Sequence, residues 1–493
     1  MKTSAMTAIP AHAIPELPDK PEEACGVFGV LAPTEDVATL SYFGLFALQH
    51  RGQESAGIAV FDGEFCRVHK DMGLVTQVFN ETTLRNLKGE IAIGHTRYST
   101  TGSSRIANAQ PTIVETRLGA VAVAHNGNLV NARELRQELI DSQVHLVSSS
   151  DTEALAQAIA LAVNDGADWI DGTCQALVRC EGAFSLVIGT PSGLMGARDP
   201  YGIRPLVLGK LPASVEKLQR YVLASETCAL DIIGADYVRD IAPGEVVWID
   251  DSGVKSHQWS QASPKLCIFE MIYFARPDSL MHEESLYAYR TRLGEQLAKE
   301  SPVDVDWVMS VPDSGTPAAI GFARYLHLPY TDGLIKNRYV GRTFIQPTQA
   351  MRDRGLRMKL NPLKDVLQGQ RIVIVDDSIV RGTTSRKIVK ALREAGAIEV
   401  HMRISSPPVT HPCFYGIDTD TQDQLIASHY SVDEIASHIG VDTLAYLSWE
   451  GMIEATGYTS EQFCSACFTG DYPIDIPNPL KRKKLALETA ATP

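Results

Sequence analysis

The hydrophobic and polar positions follow different patterns in the two halves of the chain. Up to about residue 255, short apolar runs of strand type follow one another between polar turns, for example at 26–31, 57–61, 91–94, 120–124, 183–188 and 221–224. Helical periodicity interrupts these runs around residues 133–140 and 152–163. Many strands, few helices and no regular alternation predict antiparallel sheets with helices packed against them.

After a polar stretch at 250–264, strands and helices alternate. A strand at 305–311 precedes a helix from about Thr316, and a strand at 371–375 precedes a helix at 383–395 and a strand at 399–404. This alternation predicts a mainly parallel sheet with crossover helices. We therefore predict four regions with a central boundary near residue 255: a proline-containing leader at 1–24, domains at 25–255 and 256–470, and a tail at 471–493.

Composition narrows the classes of partner. The 493 residues carry 45 Lys and Arg against 59 Asp and Glu, so the formal charge of −14 disfavours nucleic acid and anionic membranes as partners. A small phosphorylated ligand depends on local groups and stays possible. No stretch approaches the roughly 20 apolar residues of a membrane span, and residues 1–24 lack the apolar core of a secretory signal. We expect a cytoplasmic protein.

The nine cysteines are an odd number in a long chain without a secretory signal, which disfavours a disulfide framework. Cys464 and Cys467 form a CxxC pair, whereas Cys267 and Cys413 stand alone upstream. The pair by itself leaves zinc, an iron–sulfur cluster and a redox pair open, with zinc slightly favoured because such sites are common. Four others match no motif and are interpreted as core thiols: Cys66, Cys174, Cys180 and Cys228.

Cys25 is the first residue after the leader. An ordinary thiol is mostly protonated at neutral pH and needs a base to become a nucleophile. Removal of the leader would free an α-amino group on the same residue, which can act as that base. A buried core thiol is the more common alternative for an isolated cysteine.

Three polar segments add candidate chemistry to the first half. Arg97 follows a short strand and offers a guanidinium suited to a carboxylate. Asn126 and Gly127 follow another strand and can form an oxyanion hole from a side-chain amide and a backbone N–H. Asp151 lies in a Ser-Ser-Asp-Thr-Glu run before a helix, where helix capping is the alternative interpretation.

Five segments in this order resemble the N-terminal-nucleophile glutamine amidotransferases: CGVFG at 25–29, HRGQES at 50–55, HTRYST at 95–100, HNGNL at 125–129 and SSDTE at 149–153. The resemblance implies an α-β-β-α sandwich in which Cys25 attacks the glutamine amide and its α-amine is the general base. It also implies that Asn126 and Gly127 stabilise the oxyanion, while Arg97 holds the α-carboxylate of glutamine and Asp151 its α-ammonium group.

The second half carries a strand that ends in Asp376 and Asp377, followed by a Gly/Thr turn that opens a helix. A helix N-terminus offers free N–H donors and a positive dipole end, which suit phosphate. Two carboxylates beside a phosphate need hydroxyl groups or a metal as partners. We interpret the segment as a sugar-phosphate site, with a purely structural turn as the alternative.

This segment resembles the phosphoribosyl pyrophosphate signature of type I phosphoribosyltransferases, and residues 311–316 resemble their pyrophosphate loop. The resemblance assigns phosphoribosyl pyrophosphate binding to Asp376, Asp377, Ser378, Gly382, Thr383 and Thr384. It implies Mg²⁺ at Ser314, Asp376 and Asp377. The basic run 336–344 resembles the family's flexible lid, with positive charge from Lys336, Arg338 and Arg342, although an exposed loop is the alternative.

The chain as a whole resembles the glutamine phosphoribosylpyrophosphate amidotransferases. The resemblance implies transfer of ammonia from glutamine to C1 of phosphoribosyl pyrophosphate, giving 5-phosphoribosylamine, pyrophosphate and glutamate in the first committed step of purine synthesis. It also implies inhibition by purine nucleotides and a homo-oligomer, expected to be a homotetramer.

The contexts of Cys267 and Cys413 resemble the subgroup of this family that has a processed leader and a [4Fe–4S] cluster. The implied ligands are Cys267, Cys413, Cys464 and Cys467, in a structural role. Two other hypotheses remain: an amidotransferase with a different acceptor, and a non-catalytic nucleotide-sensing protein of the same fold.

Overall fold

The computed structural model of the chain describes residues 25–98, 104–212, 219–337, 360–419 and 421–477. The strands of its first half are β1 (Gly26–Leu31), β2 (Ser55–Phe61), β3 (Cys66–Met72), β4 (Ile91–Arg97), β5 (Thr112–Thr116), β6 (Gly119–Leu129), β7 (Gly182–Thr190), β8 (Gly193–Arg198), β9 (Val207–Lys210), β10 (Tyr221–Ala224), β11 (Asp236–Asp240), β12 (Glu245–Asp250) and β13 (Gly253–Gln258). Its helices are α1 (Val37–Ala47), α2 (Val75–Val78), α3 (Glu81–Arg85), α4 (Ala132–Asp141), α5 (Asp151–Asn164), α6 (Trp169–Val178) and α7 (Cys228–Asp231).

These strands form two antiparallel sheets that face each other. Their orders are β11-β9-β10-β1-β4-β2-β3 and β13-β12-β8-β7-β6-β5. The space between the sheets is filled by apolar side chains from both, such as Val27, Ile93, Val187 and Val247. Helices α1, α2 and α7 contribute to the core on the outer face of the first sheet, and α4 to α6 cover the second. The predicted α-β-β-α sandwich is confirmed.

Among the helices described in the first half, the sequence pattern predicts α4 and α5 and misses the other five, of which α1 and α6 are the longest. Helix α1 has apolar residues on all sides, including the exposed Phe43 and Phe46, so no helical period stands out in its sequence. Asp36 nevertheless marks its start, because its Oδ1 accepts a hydrogen bond from the backbone N–H of Thr39 at 3.1 Å.

The strands of the second half are β14 (Leu266–Cys267), β15 (Leu280–Met281), β16 (Glu284–Ser285), β17 (Trp307–Ser310), β18 (Leu334–Lys336), β19 (Leu360–Pro362), β20 (Arg371–Asp376), β21 (Glu399–Ile404), β22 (Thr443–Tyr446) and β23 (Phe463–Cys464). Its α-helices are α8 (Leu286–Glu300), α9 (Thr316–Leu326), α10 (Lys364–Leu367), α11 (Thr383–Glu394), α12 (Val432–Ile439), α13 (Trp449–Thr456) and α14 (Ala466–Thr469). Shorter helical turns lie at Ile106–Asn108 in the first half, and at Glu270–Phe274, Gln422–Gln424, Ile426–Ser428 and Ser460–Gln462 in the second.

The predicted parallel sheet is confirmed, with strand order β17-β20-β21-β22 and parallel pairing throughout. Alternate residues of β20 face opposite cores, as a strand buried on both faces requires. Val373 and Val375 pack with α8, α9 and α13, whereas Ile372 and Ile374 pack with α11 and α12.

Strand β13 lies at the predicted boundary between the halves. Strand β13 pairs with β12 as the edge of the second antiparallel sheet, so a boundary at residue 255 would fall inside a strand that ends at Gln258. Across the described ranges, none of the helices combines the length and the apolar character that a membrane crossing demands.

Candidate active sites

Cys25 lies immediately before β1. Because β1 and β4 run antiparallel with Gly26 opposite Thr96, Cys25 comes beside Arg97 at the end of β4. Its side chain is buried, and Sγ donates to the backbone oxygen of Tyr98 at 3.3 Å. Arg51 Nε donates to the backbone oxygen of Cys25 at 3.2 Å. The sulfur and the backbone of this residue are therefore both held in place.

Burial raises the pKa of the Cys25 thiol to about 12, and the nearby Arg97 only partly offsets that rise. At neutral pH the sulfur is therefore a protonated thiol. A nucleophilic role requires a base that takes the proton during attack.

A buried cation and a buried anion both act electrostatically on Cys25, namely Arg97 and Asp151. Burial opposes ionisation of Asp151, but His125 and the backbone N–H groups that it accepts from lower its pKa overall. One of those donors is Leu129 N, 3.1 Å from Asp151 Oδ2. The arrangement offers opposite charges to a zwitterion such as an amino acid.

Asp151 is the first residue of α5, and its neighbour Ser150 caps that helix by accepting from the backbone N–H of Glu153 at 3.2 Å. The capping interpretation of this segment is thus right for Ser150. It does not account for Asp151, which is buried and belongs to the surroundings of Cys25.

Asn126 and Gly127 lie near the end of β6, opposite Ser185 and Phe184 of β7. The side chain of Asn126 is 0% exposed, and within the described parts of the chain its Oδ1 and Nδ2 have no hydrogen-bond partner. Buried amides are rarely left unsatisfied, so this one is available to a ligand. Gly127 has φ 143°, and a Cβ there would stand 2.0 Å from the backbone oxygen of Ala183, so a side chain is excluded.

In the second half, Asp376 ends β20, and Asp376, Asp377 and Ser378 are all buried. Asp377 N donates to Asp376 Oδ1 at 2.9 Å, and Ser378 Oγ donates to Asp377 Oδ1 at 2.7 Å. Gly382 precedes α11 with φ 76°, and Thr383 and Thr384 are the first residues of that helix. The carboxylates and the helix N-terminus therefore meet at the carboxyl end of β20, where parallel sheets bind ligands.

The loop that follows β17 packs against the same end of β20. Val311 N donates to the backbone oxygen of Val375 at 2.9 Å, and a Cβ on Gly315 would stand 2.6 Å from that oxygen. This packing places the Ser314 segment next to the strand end that carries Asp376. Lys336 Nζ donates to Asp313 Oδ2 at 2.5 Å, so one basic side chain also reaches this loop. Arg338 and Arg342 lie outside the described residues.

The structure brings Cys267, Cys413, Cys464 and Cys467 together from three segments. Cys267 is opposite Cys464 in the parallel pair β14–β23. Burial and the other three thiols raise the pKa of Cys467. No disulfide links the four cysteines, and among the described residues no three His, Cys, Asp or Glu side chains are arranged to hold a single metal ion. As a donor set, four neighbouring thiols fit a thiolate-ligated group.

Two of the four cysteines that were interpreted as core thiols do not fit that description. Cys180 and Cys228 are buried, but Cys66 and Cys174 are only partly buried, at the edges of the apolar clusters that they contact. Cys66 is the first residue of β3, which has partly exposed positions, and Cys174 lies on the helix α6 that the sequence pattern did not predict.

Sequence reasoning also missed a buried ionic network around Arg51. Its guanidinium donates to Glu226 and, at 2.6 Å, to Glu270 Oε1, and Arg204 Nη1 lies 2.9 Å from the same Glu270 oxygen. His50 Nε2 is 2.7 Å from Glu226. Burial opposes charge on Glu226, but His50 and Arg51 hold its pKa far below its ordinary value. The partners are too far apart in sequence for any local pattern to indicate them.

Comparison with known proteins identifies both halves. A glutamine amidotransferase domain model matches residues 95–231, and a phosphoribosyl transferase domain model matches residues 283–405. The amidophosphoribosyltransferase of Synechococcus elongatus is 68% identical to the chain over 475 residues, which cover 96% of each protein. The chain belongs to the amidophosphoribosyltransferase family. It is therefore a transferase in which a glutamine amidotransferase domain and a phosphoribosyltransferase domain work together.

Two solved structures of amidophosphoribosyltransferase type extend this similarity to the whole fold. One, described as the allosteric regulatory enzyme of purine biosynthesis, has a TM-score of 0.86 at 49% identity and covers 92% of this chain and 97% of its own. The other, glutamine phosphoribosylpyrophosphate amidotransferase from B. subtilis complexed with ADP and GMP, has a TM-score of 0.85 at 48% identity and covers 92% and 98%. The limits of the predicted leader, domains and tail stay predictions.

Proposed function

We propose that the chain transfers the amide nitrogen of glutamine to C1 of phosphoribosyl pyrophosphate, giving 5-phosphoribosylamine, pyrophosphate and glutamate in purine biosynthesis. The observation that carries the proposal is the pairing, in one chain, of a buried cysteine beside Arg97 and Asp151 with a two-carboxylate turn at the carboxyl end of β20. The first arrangement suits an amino acid amide, and the second suits a sugar phosphate.

In the first half-reaction, Cys25 Sγ attacks the side-chain carbonyl carbon of glutamine. The α-amine that appears when residues 1–24 are removed takes the thiol proton. The Asn126 side-chain amide and the Gly127 N–H stabilise the oxyanion, while Arg97 and Asp151 hold the α-carboxylate and α-ammonium groups. The α-ammonium group of Cys25 passes this proton to the amide nitrogen, the C–N bond breaks and ammonia leaves; water then hydrolyses the γ-glutamyl thioester to glutamate and restores the thiol.

In the second half-reaction, ammonia attacks C1 of phosphoribosyl pyrophosphate, and the bond from C1 to the pyrophosphate oxygen breaks. Asp376 and Asp377 bind the ribose hydroxyls, while Ser378, Gly382, Thr383 and Thr384 hold the 5-phosphate at the start of α11. Lys336 is held at the pyrophosphate loop by Asp313 and adds positive charge there. Arg338 and Arg342 complete the proposed basic lid.

Two inorganic groups belong to the proposal. Ser314, Asp376 and Asp377 offer the oxygen ligands that Mg²⁺ prefers, and the ion would neutralise charge on the leaving pyrophosphate. Cys267, Cys413, Cys464 and Cys467 would hold one [4Fe–4S] cluster per chain. The cluster would link segments that are distant in sequence and would take no part in the chemistry, because no step transfers electrons.

Regulation is proposed from a solved relative, and assembly from the family resemblance. The B. subtilis structure is a complex with ADP and GMP, which supports purine nucleotides as inhibitors of this chain. We also propose a homotetramer and a cytoplasmic location.

The proposal is tested with glutamine labelled with ¹⁵N in the side-chain amide. The processed enzyme, supplied with phosphoribosyl pyrophosphate and Mg²⁺, should form ¹⁵N-phosphoribosylamine and glutamate in equal amounts. Omitting phosphoribosyl pyrophosphate should suppress glutamine hydrolysis. Formation of glutamate without labelled phosphoribosylamine would contradict phosphoribosyl pyrophosphate as the acceptor. Absence of both products would contradict the proposed enzymatic activity as a whole.

A further inference from the structure

A loop of the second half reaches the strand that carries the proposed oxyanion hole. Asn128 lies two residues after Asn126 on β6, and its Nδ2 donates to the backbone oxygen of Phe414 at 2.8 Å. Phe414 follows Cys413, one of the four converging cysteines. The two residues are 286 positions apart in sequence, so the bond crosses from one half of the molecule to the other.

The same loop approaches the oxyanion residue itself. Gly416 has φ 108°, and a Cβ there would stand 3.2 Å from the Cα and the carbonyl carbon of Gly127. It would also stand 3.1 Å from a terminal nitrogen of Arg204. A side chain at this position would therefore meet the backbone of β6 and a buried guanidinium.

The loop is itself held firmly, so it can act as a support. Arg204 Nε donates to the backbone oxygen of Tyr415 at 2.9 Å, and Tyr415 Oη donates to the backbone oxygen of Ile474 at 2.8 Å. Cys413 N donates to Thr419 Oγ1 at 3.0 Å. Tyr415 is 1% exposed. The backbone oxygen of Phe414 is consequently a fixed acceptor rather than a mobile one.

We propose that Asn128 is a positioning residue for glutamine hydrolysis, which fixes the oxyanion hole of Asn126 and Gly127 against the loop 413–417. The inference rests on the proposed function and adds a residue to it. The N–H donors of Asn126 and Gly127 must point at the place where negative charge develops. A small displacement of such donors reduces stabilisation of the transition state more than binding of the substrate. Asn128 sets the path of β6 on the far side of Gly127 without touching glutamine.

The test compares Asn128→Ala with wild type in the processed holoenzyme. Glutamate γ-semialdehyde serves as the probe; its equilibrium with the cyclic imine is the same for every variant and cancels in the ratio of apparent affinities. The Cys25 thiol adds to the aldehyde carbon: the C–S bond forms, the C=O π bond breaks, the thiol proton passes to the α-amine, and the former carbonyl oxygen lies in the oxyanion hole. The apparent affinity for the semialdehyde, measured by calorimetry, should fall about tenfold, whereas the affinity for glutamate should stay within twofold. kcat for glutamine hydrolysis should fall about tenfold with KM unchanged, and ammonia-dependent synthesis of phosphoribosylamine should be unaffected.

Two controls separate positioning from general damage. Asn131→Ala removes an amide that bonds Arg179 and Glu181 just after the same strand, away from the loop 413–417, and should leave the semialdehyde affinity unchanged. Gly416→Ala should lower the affinity for the semialdehyde as Asn128→Ala does. Gly440→Ala imposes similar backbone strain, at φ 88° with no atom within 4 Å of the added Cβ, and should have no effect on that affinity.

The inference is overturned if Asn128→Ala binds the semialdehyde as wild type does. It is also overturned if Asn131→Ala loses the same affinity, or if the ammonia-dependent rate falls in parallel. Because calorimetry requires no turnover, these outcomes differ from failure of the proposed function, in which wild type itself would make no phosphoribosylamine.

Discussion

At the scale of single residues, the surroundings of Cys25 favour the unreactive form of its sulfur. Burial raises the pKa of the thiol to about 12, so almost none is thiolate at pH 7. An α-amino group has an ordinary pKa of about 7.7–8.0 and is partly neutral at that pH. In the proposed processed chain this base would lie on the same residue, so the proton would leave as the C–S bond forms and no free thiolate would be needed.

Cys25→Ala should therefore separate the two half-reactions. Glutamine-dependent synthesis should fall by at least about 10³-fold, because the covalent intermediate is lost, while synthesis from added ammonia should continue near the wild-type rate. Phosphoribosylamine formation from each nitrogen source measures the split. Cys174→Ala, in the partly buried thiol of α6, is the control and should affect neither rate. Loss of both rates in Cys25→Ala would contradict the assignment.

The pH dependence of Cys25 should reveal its base. In a chain that retains residue 24, the raised pKa keeps the thiol protonated, so alkylation by iodoacetamide should accelerate about tenfold per pH unit between pH 6 and 9. In the processed chain the α-amine titrates near pH 8, and the rate should level off above that value. Peptide mass mapping of Cys25 measures both profiles, and identical profiles would argue against the α-amine as base.

The sequence predicts the site residues around Cys25 but not the ionic partners of the nearby Arg51. The sequence alone predicts roles for Cys25, Arg97, Asn126 and Asp151, because they lie in short segments with family character. Arg51 lies in such a segment too, yet its partners Glu226 and Glu270 are 175 and 219 residues away. Only the packed structure brings these charges together, because buried ion pairs have no fixed spacing in sequence.

At the scale of elements, the turn between β20 and α11 carries the proposed phosphoribosyl site. Gly382 adopts φ 76° just before the helix, a conformation that costs an L-residue about 1–2 kcal/mol. Gly382→Ala should therefore move the first N–H groups of α11 and raise the KM for phosphoribosyl pyrophosphate about tenfold or more. Steady-state kinetics with ammonia as the nitrogen source measures this effect without involving glutamine.

Gly369→Ala is the matched control, since Gly369 has φ 75° with no atom within 4 Å of an added Cβ and lies before β20. It should lower the free energy of unfolding about as much as Gly382→Ala does, without changing the KM for phosphoribosyl pyrophosphate. An equal rise of KM in both variants would show that general strain, and not the phosphate turn, is responsible.

The elements themselves were predictable where one pattern dominated. The strand at 399–404 and the start of the helix at Thr383 agree with the structure to the residue, because apolar runs and helical periods alternate cleanly there. Helix α1 was missed because its apolar residues surround the helix. Strand β13 was not predicted because it is an edge strand with mostly exposed polar residues, and such a composition is also typical of a linker.

At the scale of the whole molecule, the Arg51 network joins the two halves. Glu226 of the first half accepts from Arg51, from Arg276 N at 2.9 Å and from Ser279 Oγ at 2.8 Å, while Glu270 of the second half accepts from Arg51 and Arg204. Removing one member of a buried pair leaves an uncompensated charge and costs about 3–5 kcal/mol. The network therefore ties the backbone of Cys25 to both halves through Arg51.

Glu226→Gln should lower the free energy of unfolding at pH 7 by about 3 kcal/mol. The folded-state pKa of Glu226 lies below its ordinary value of 4.5, so its contribution is present above pH 4.5 and is lost as the pH falls further. The difference between wild type and variant should narrow below pH 4.5, as measured by urea unfolding. Glu81→Gln, in an exposed pair with Arg85, should change stability by less than about 1 kcal/mol, and an equal effect would refute the argument.

The four converging cysteines lie next to this network, since Arg204 and Glu270 both act electrostatically on Cys267. Strands β14 and β23 form a parallel pair of only two residues each, too short to be stable alone. Residues 463–477 are also held by hydrogen bonds, for example from Tyr415 Oη to the backbone oxygen of Ile474 at 2.8 Å and from Thr410 N to the backbone oxygen of Cys467 at 3.0 Å. The proposed [4Fe–4S] cluster would add a further link, because ligands from three segments, at Cys267, at Cys413 and at Cys464 with Cys467, would be joined through one rigid group.

Protein purified without oxygen should contain about four iron and four sulfide per chain, as expected for one such cluster. Cys467→Ser should lose both and unfold at a lower temperature, because residues 463–477 would lose their link to β14. Cys180→Ser, in a buried thiol outside this group, should retain the iron even if it loses some stability. Zinc in place of iron, or an unchanged iron content in Cys467→Ser, would contradict the assignment of these cysteines to an iron–sulfur cluster. A loss of iron that leaves the melting temperature unchanged would instead contradict its structural role.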